Sequence, residues 1–310
     1  MRSPISPGKL TGVLALLLGA ATALPGPGLA ADQTPQAAVP RHLPARAHEA
    51  IIGGATARAG AFASVAEVID LKGRSIGQCT GTVVAPSLVL TAGHCAENIE
   101  TGTVNAASGY RVLTEPAGGT PTERQVSTVS GVLVYEGFLR KVDAGDAALL
   151  VLSTPTTAPA ITLASSDAGA LRAGSSATIT GWGDTFYAQR LPTEALHWAG
   201  TVVQGDRWCK RNAPPFYASE ELCTIDPPSY ATGVCFGDSG GPLLSPSGEG
   251  EGLVEIGIAV HVYGRCNTRR PSVFTRVDRI AAWVDTWIAA YRPPPPPPTA
   301  EPTPAPPPGT

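Results

Sequence analysis

The fold of this chain is decided by the stretch GVCFGDSGGPLL, residues 233–244. Its serine, Ser239, is flanked by glycines and an aspartate, which makes the stretch a poor helix and a poor strand. Taken alone, Gly-Asp-Ser-Gly is also an ordinary turn. A serine nucleophile, however, needs a nearby base and backbone N–H groups that stabilise a developing oxyanion, and glycines allow the backbone to present such groups. Ser239 is therefore a candidate nucleophile.

Two stretches further upstream supply a candidate base and a carboxylate to orient it. His94 directly follows the strand-like run of VLTAGHC, and Asp146 opens the apolar strand of DAGDAALLVL. The order along the chain is His, Asp, Ser. The other histidines that we considered, at positions 42, 48 and 197, lie in the N-terminal segment or in a loop without such partners. We interpret these three histidines as residues without a catalytic role.

The sequence around these motifs is typical of an all-β protein. From Ile51 to about Tyr291, short apolar runs such as SVAEVIDL, AALLVL and EIGIAVHVYG are separated by clusters of Gly, Pro, Ser and Asp. Such a pattern indicates a sandwich or barrel rather than alternating strands and helices. The exception is VDRIAAWVDTWIAAY, in which apolar residues recur at helical spacing after Asp278. It predicts a C-terminal amphipathic helix over 277–291 that packs on the β body.

The N-terminus has the pattern of a secretory signal over residues 1–30. Arg2 and Lys9 precede the apolar run LTGVLALLLGAATAL, and small residues at Gly28 and Ala30 indicate cleavage after Ala30. A membrane anchor is the alternative interpretation. It is disfavoured because the run is short and broken by glycines. We expect an exported, extracellular protein that does not contact the membrane.

Proline dominates two further segments. Residues 31–50 contain prolines 35, 40 and 44 and few large apolar side chains, so they are predicted to form an exposed propeptide. The tail, residues 292–310, cannot form a helix or a central strand because proline lacks the N–H group. It is predicted to be extended polyproline, either an inert solvated tail or a spacer.

Charge and cysteine content narrow the partners. The net charge of the 310 residues is −3 without a basic block, which disfavours nucleic acid as a partner. Six cysteines in an exported chain are most simply three disulfides. A zinc site is the alternative, but no Cys-x-x-Cys pair is present and the spacings are wide. We expect no metal and no cofactor.

Together these motifs resemble those of the chymotrypsin-like (trypsin-fold) serine peptidases of the secreted bacterial type. The resemblance spans about 51–291 and rests on IIGG, TAGHC, DAAL, GWG, GDSGGP and the closing helix, in this order. It implies an all-β fold of two six-stranded Greek-key β-barrels, about 51–165 and 166–276, followed by the helix. The active site would lie in the cleft between the barrels.

The resemblance also implies roles for individual residues. Ser239 would be the nucleophile, His94 the general base and later the acid, and Asp146 the residue that fixes the histidine tautomer. The backbone N–H groups of Gly237 and Ser239 would form the oxyanion hole. The disulfides that the resemblance implies are Cys79–Cys95, Cys209–Cys223 and Cys235–Cys266.

The IIGG motif, which begins at Ile51, is interpreted as an activation site. In the family, cleavage frees an α-amino group that becomes buried and pairs with the aspartate before the serine, here Asp238. The ion pair orders the surrounding loop, so the uncut chain would be a zymogen. The cut would follow Ala50. Self-activation and cleavage by another exported protease both remain open.

By the family's pattern, the residues around the substrate pocket indicate that it is narrow. Gly233, six residues before Ser239, would lie at its floor, where no carboxylate waits for a basic side chain. Counting from Cys266, Val262 and Ser272 stand where the pocket walls usually carry glycine. Such a pocket would prefer a small apolar P1 residue, as in elastase-like enzymes.

The chain departs from the family's Ser-Trp-Gly strand, which is replaced by Val260, His261 and Val262. The missing serine removes a hydroxyl that helps to hold the catalytic aspartate. His261 either lines the cleft or binds an acidic P1 side chain, which is the alternative specificity.

The leading hypothesis is a secreted, monomeric serine endopeptidase that acts on proteins or peptides, with proteinaceous inhibitors as further partners. It would act through an acyl-enzyme intermediate. The alternative is a catalytically silent homologue that acts as a binding module. Silent homologues usually lose a residue of the triad, and this chain retains all three.

Overall fold

The computed structural model describes residues 51–72, 75–115, 124–142, 144–165, 171–184, 195–247 and 252–292. The expected signal peptide, the propeptide and all but the first residue of the proline-rich tail lie outside these ranges. Within the described residues, no helix has the length and apolar character needed to cross a membrane.

The described residues form sixteen strands and three α-helices. In chain order the elements are β1 Ala55–Thr56, β2 Val65–Lys72, β3 Ser75–Ala85, β4 Leu88–Thr91, α1 Gly93–Ala96, β5 Glu97–Asn98, β6 Thr103–Val104, a 3₁₀ turn Ala107–Gly109, β7 Tyr110–Thr114, β8 Gln125–Val134, β9 Ala148–Leu152, β10 Thr162–Leu163, β11 Ser176–Gly181, β12 His197–Val203, α2 Asp206–Asn212, β13 Glu221–Ile225, β14 Pro242–Pro246, β15 Leu253–His261, β16 Ser272–Arg276 and α3 Val277–Ala290.

Twelve of the strands close into two antiparallel barrels of six. The first barrel follows the ring β2-β3-β4-β9-β8-β7, and the second follows β11-β12-β13-β16-β15-β14. In each barrel, the first three strands along the chain lie side by side. The fourth strand along the chain pairs with the first: β7 pairs with β2 in the first barrel, and β14 pairs with β11 in the second. This order is the same Greek key twice, and it confirms the predicted fold. Closure leaves no unpaired strand edge within either ring.

The core of the first barrel explains why some of its strands are apolar throughout. Along β4 and β9 the side chains alternate, so that Val89 and Leu150 lie in the barrel interior with the cluster that all six strands contribute. Leu88, Leu90 and Leu149 point to the opposite face, where they pack against α3. Both faces of these two strands are therefore buried.

Helix α3 covers this outer face. It spans Val277–Ala290, one residue shorter than predicted, and buries Ile280 and Val284 completely. Trp283 packs edge-on against Tyr135 of the first barrel at a centroid distance of 5.4 Å. The periodicity that predicted the helix therefore reflects its packing against the β body.

Glu255 is an acidic side chain buried between the barrels. It lies on β15, next to Ile256, whose side chain faces the interior of the second barrel. Glu255 is fully buried, and no hydrogen bond from the described residues reaches its carboxyl oxygens. Burial raises the pKa of Glu255 from 4.5 to about 8, and the nearby Thr82 hydroxyl opposes this rise only in part.

This raised pKa predicts a loss of stability with increasing pH. Between pH 4.5 and about 8 the folded carboxyl group keeps a proton that the unfolded chain releases, so the free energy of unfolding falls as pH rises. From about pH 5 to about pH 8 the loss is roughly 3 kcal/mol. Glu255→Gln removes this contribution. Denaturant unfolding at both pH values, with Ser239→Ala present in every chain to prevent autolysis, measures it.

The exposed Glu100 supplies the matched control for this experiment, since Glu100→Gln should leave the pH dependence unchanged. Parallel stability profiles for the parent chain and Glu255→Gln would contradict the assignment of a protonated, buried Glu255.

Candidate active site

His94 and Asp146 are brought together by two adjacent strands. His94 lies in the single turn α1 after β4, and Asp146 lies two residues before β9, which pairs with β4 through Thr91 and Ala148. The backbone N–H of His94 donates to Oδ1 of Asp146 at 2.8 Å, and Nδ1 of His94 lies 2.6 Å from Oδ2. A proton on Nδ1 completes the second hydrogen bond, which makes Nε2 the acceptor that a general base requires.

The surroundings hold this pair in one geometry. The side chain of Asp146 is 1% exposed, whereas that of His94 is 25% exposed. Only glycine fits at position 93, because a Cβ there would lie 2.8 Å from Phe138 and 2.9 Å from Oδ1 of Asp146. The buried hydroxyl of Thr275 on β16 donates to the main-chain carbonyl of Asp146 at 3.0 Å. Thr275 thus links the second barrel to the backbone of Asp146, a role that sequence reasoning missed.

The loop that carries Ser239 is organised around a buried carboxylate. Asp238 is fully buried and accepts hydrogen bonds from the N–H groups of Cys235 at 2.8 Å and Gly183 at 2.9 Å. Burial raises the pKa of Asp238 to about 7, although these two hydrogen bonds lower it. Gly237 has φ +91°, and a Cβ there would lie 2.7 Å from Cα of Gly183. The glycine is therefore required by both conformation and space.

A threonine of the first barrel contacts this loop at two points. The N–H of Thr80 donates to the carbonyl of Ser239 at 2.8 Å, and its hydroxyl donates to the carbonyl of Gly237 at 2.9 Å. The same hydroxyl accepts the N–H of Trp182 at 3.1 Å. No sequence motif had identified Thr80, since a threonine after a cysteine in a strand is unremarkable.

His94 and Ser239 line one cleft of about 350 Å³. The predicted pocket residues Val260, His261 and Val262 line it as well. His261 packs edge-on against Tyr263, with a centroid distance of 4.5 Å. The structure therefore places the candidate nucleophile and base in one cleft. Residues 260–262, which replace the family's Ser-Trp-Gly, form part of its wall.

The other predicted pocket residues surround a much smaller cavity of about 10 Å³. Gly233, Val262 and Ser272 line it, as does Thr268. A Cβ at Gly233 would lie 3.5 Å from the Thr268 methyl group and 3.7 Å from Oγ of Ser272. Thr268 therefore occupies the space opposite the floor glycine, a contribution that counting from Cys266 did not reveal.

The IIGG segment lies against the same region. Ile51 is completely buried and packs with the interior cluster of the second barrel. The N–H of Gly233 donates to the carbonyl of Ile52 at 3.2 Å. Gly53 has φ +66°, and a Cβ there would lie 2.3 Å from the carbonyl oxygen of Ala231. The segment beginning at Ile51 is thus inserted beside the residues of the small cavity.

Three disulfides join the pairs that the resemblance implies: Cys79–Cys95, Cys209–Cys223 and Cys235–Cys266. The third joins the serine loop to the wall of the small cavity. Among the described residues, one cluster has metal-ligating groups close together, His94 with Cys79 and Cys95. Both cysteines are consumed by their disulfide, so the cluster does not offer thiolate ligands.

One prediction about the histidines is wrong, because His197 does not lie in a loop. It is the first residue of β12 and is buried. Its Nδ1 lies 2.8 Å from the carbonyl of Ala195, and its Nε2 lies 3.2 Å from the hydroxyl of Thr56. His197 is an internal hydrogen-bonding residue that joins β12 to β1. His42 and His48 lie outside the described residues.

Comparison with known proteins agrees with this geometry. The family model described as Trypsin matches residues 51–284. The trypsin of Saccharopolyspora erythraea is 29% identical over 199 residues, which cover 64% of this chain and 82% of that protein. Trypsin alpha-4 of Lucilia cuprina is 27% identical over 249 residues, covering 80% of this chain and 91% of the relative.

A solved structure titled "Structure of GrC" has a TM-score of 0.64 and 22% sequence identity, and the match covers 77% of this chain and all of that one. At this identity the likeness shows the fold alone. The family match, which spans both barrels and most of α3, decides the assignment. The chain belongs to the trypsin family of serine endopeptidases.

Proposed function

We propose that the chain is a secreted endopeptidase whose catalytic residues are Ser239, His94 and Asp146. The observation that carries this proposal is the pair of hydrogen bonds from His94 to Asp146 beside a cleft that Ser239 also lines. These bonds leave Nε2 of His94 as the acceptor and place a carboxylate where an imidazolium would need stabilisation.

The chemistry follows from these positions. Oγ of Ser239 attacks the carbonyl carbon of the scissile bond while its proton passes to Nε2 of His94. The N–H groups of Gly237 and Ser239 stabilise the resulting oxyanion. The tetrahedral intermediate collapses to an acyl-enzyme as His94 protonates the leaving amine. Water then attacks the ester carbonyl while Nε2 of His94 takes its proton. His94 returns this proton to Oγ of Ser239 as the C–O bond breaks, which releases the acid and regenerates Ser239.

The proposal includes synthesis as a zymogen that is activated by cleavage after Ala50. The burial of Ile51 and the full burial of Asp238 support it, since a new α-ammonium group at Ile51 would give this carboxylate a counter-charge. Secretion is supported by the N-terminal signal pattern and by three disulfides, which persist in oxidising compartments.

A small apolar P1 residue is proposed as the preferred substrate feature. A cavity of about 10 Å³ beside Gly233 has room for about one water molecule. Val262 and Thr268 restrict it, and neither carries a charge. His261 lines the main cleft and does not line this cavity, whereas the exposed Arg270 does, so the acidic-P1 alternative is supported by Arg270 rather than by His261. Ala50, a small apolar residue, fits the same preference, which supports self-activation.

Enlarging the small cavity should change this preference. The double variant Val262→Gly/Ser272→Gly removes two side chains that line it. We expect the ratio of kcat/KM for Phe to that for Ala at P1 to rise about 10- to 100-fold, because each methylene group of pocket space changes discrimination by about 10-fold or more. Matched peptides that differ only at P1 provide the measurement. Val126→Gly, at an exposed site in β8, controls for the effect of glycine in a strand.

An unchanged ratio in the double variant, with the rate on the Ala peptide retained, would show that Val262 and Ser272 do not define the P1 pocket. A preference for Glu in the unmodified chain would favour the acidic-P1 alternative instead.

Labelling with a serine-directed fluorophosphonate tests the central proposal against the silent-homologue alternative. The chain, secreted by its host and confirmed to begin at Ile51, should be labelled and should cleave a mixed peptide library. A chain that is correctly folded and processed but neither labelled nor active would support the binding-module alternative.

A further inference from the structure

Thr80 connects three parts of the molecule at one buried point. It lies on β3 of the first barrel and is completely buried. Its hydroxyl donates to the carbonyl of Gly237 at 2.9 Å and accepts the N–H of Trp182, which follows β11 of the second barrel. Its own N–H donates to the carbonyl of Ser239. Both residues that would supply the oxyanion hole are thus hydrogen-bonded to Thr80.

The carbonyl groups that Thr80 bonds, those of Gly237 and Ser239, lie in peptide units next to the N–H groups of the oxyanion hole. Their positions therefore affect the direction in which these N–H groups point. The carbonyl of Gly237 belongs to the peptide bond between the two donor N–H groups, those of Gly237 and Ser239. Gly237 has φ +91°, a region open to glycine, and glycine can rotate away from it more readily than any other residue. Fixing the Gly237 carbonyl therefore restricts the orientation of both donors.

The hydroxyl cannot be replaced by an apolar group at this point. It both donates and accepts, so a valine at position 80 would leave the Gly237 carbonyl and the buried Trp182 N–H without this partner. The main-chain bond from residue 80 to the Ser239 carbonyl would remain. The hydroxyl thus controls the Gly237 peptide specifically, and the backbone of β3 controls Ser239.

We infer that the Thr80 hydroxyl is a positioning group that holds the oxyanion hole in its catalytic geometry. This inference rests on the proposed peptidase function. Thr80 does not contact the reacting atoms; it acts through the Gly237 peptide.

The test compares Thr80→Val with Thr80→Ser in the full chain, secreted and brought to the same N-terminus. We expect Thr80→Val to lower kcat about 10- to 100-fold and to leave KM within about 3-fold, because misplaced donors weaken binding of the transition state only. Thr80→Ser keeps the hydroxyl and should recover activity to within about 3-fold of the parent chain. The affinity for a peptide boronate, a transition-state analogue, should fall by the same factor as kcat/KM.

Thr114→Val is the matched control, since Thr114 is a buried threonine whose hydroxyl bonds Thr156 in the first barrel, away from the cleft. The inference would be overturned if Thr80→Val and Thr114→Val lowered kcat equally. It would also be overturned if Thr80→Val raised KM and left kcat unchanged. A failure of Thr80→Ser to recover activity in a folded protein would overturn it as well. If Thr80→Val does not fold, Thr80→Ala takes its place with the same expectations.

Failure of the proposed function gives a different result from failure of this inference. In that case the unmodified chain itself would neither hydrolyse peptides nor bind the boronate, whereas the inference about Thr80 concerns only the ratio between variants of an active enzyme.

Discussion

Replacement of Ser239 by alanine is expected to lower kcat for peptide hydrolysis about 10⁵- to 10⁶-fold, because no acyl-enzyme can form without its oxygen. His94→Ala should lower kcat by a similar factor. The double variant should lose little more than either single variant, since the two side chains act as one unit in the first step. Initial rates on a P1-Ala peptide, with protein concentrations matched, provide the measurement.

Ser245→Ala is a suitable control for Ser239→Ala. Ser245 is buried on β14, six residues after the candidate nucleophile, and lines neither cavity. Its variant should retain the parent activity. If Ser239→Ala also retained it, another residue would be the nucleophile. Additive losses in the double variant would show that His94 and Ser239 act independently.

Local sequence patterns predicted the strands and α3, but they could not predict the pairing. The short apolar run SVAEVIDL marks β2 as a strand, whereas the pairing of its Val68 with Val112 of β7 joins residues far apart in the chain. No local signal specifies such a partner. The Greek-key order therefore came from the resemblance to a family, and the two rings of the structure confirm it.

In the candidate site too, some residues could be predicted from local motifs and others only from tertiary contacts. His94, Asp146 and Ser239 stand in motifs whose residue types already indicate chemistry. Thr80 and Thr275 stand in ordinary strand sequence, and their hydroxyls become important only because the barrels place them against Gly237 and Asp146. A threonine in a strand has no feature that distinguishes a structural from a positioning role before the tertiary contacts are known.

His197 shows that a buried strand residue need not stand in a recognisable motif. From the sequence it is interpreted as a loop residue without partners. The stretch HWAGTVV forms β12, and pairing with β11 and β1 buries the histidine at its start. Strand boundaries depend on such partners, and sequence alone does not fix them.

Asp238→Asn is expected to lower kcat/KM of the processed enzyme about 10²- to 4 × 10³-fold. In the processed chain the proposed partner of Asp238 is the α-ammonium group of Ile51. Removing one partner of a buried ion pair costs about 3–5 kcal/mol, which corresponds to about 10²- to 4 × 10³-fold in the population of the ordered loop. Both Asp238 and Ile51 are completely buried, so water cannot replace the lost interaction.

The pH dependence separates this role from a general loss of stability. Burial raises the pKa of Asp238 to about 7 in the uncut chain, and an ammonium group beside it would lower that value. The amino group of Ile51, with an ordinary pKa of about 8, would in turn keep its proton to higher pH while paired. Activity of the parent enzyme should therefore decline at alkaline pH as this proton is lost, and Asp238→Asn should lack that step. Asp285→Asn, at an exposed site on α3, should behave as the parent. Full activity of folded Asp238→Asn, or the same alkaline decline in that variant, would contradict activation through the Ile51–Asp238 pair.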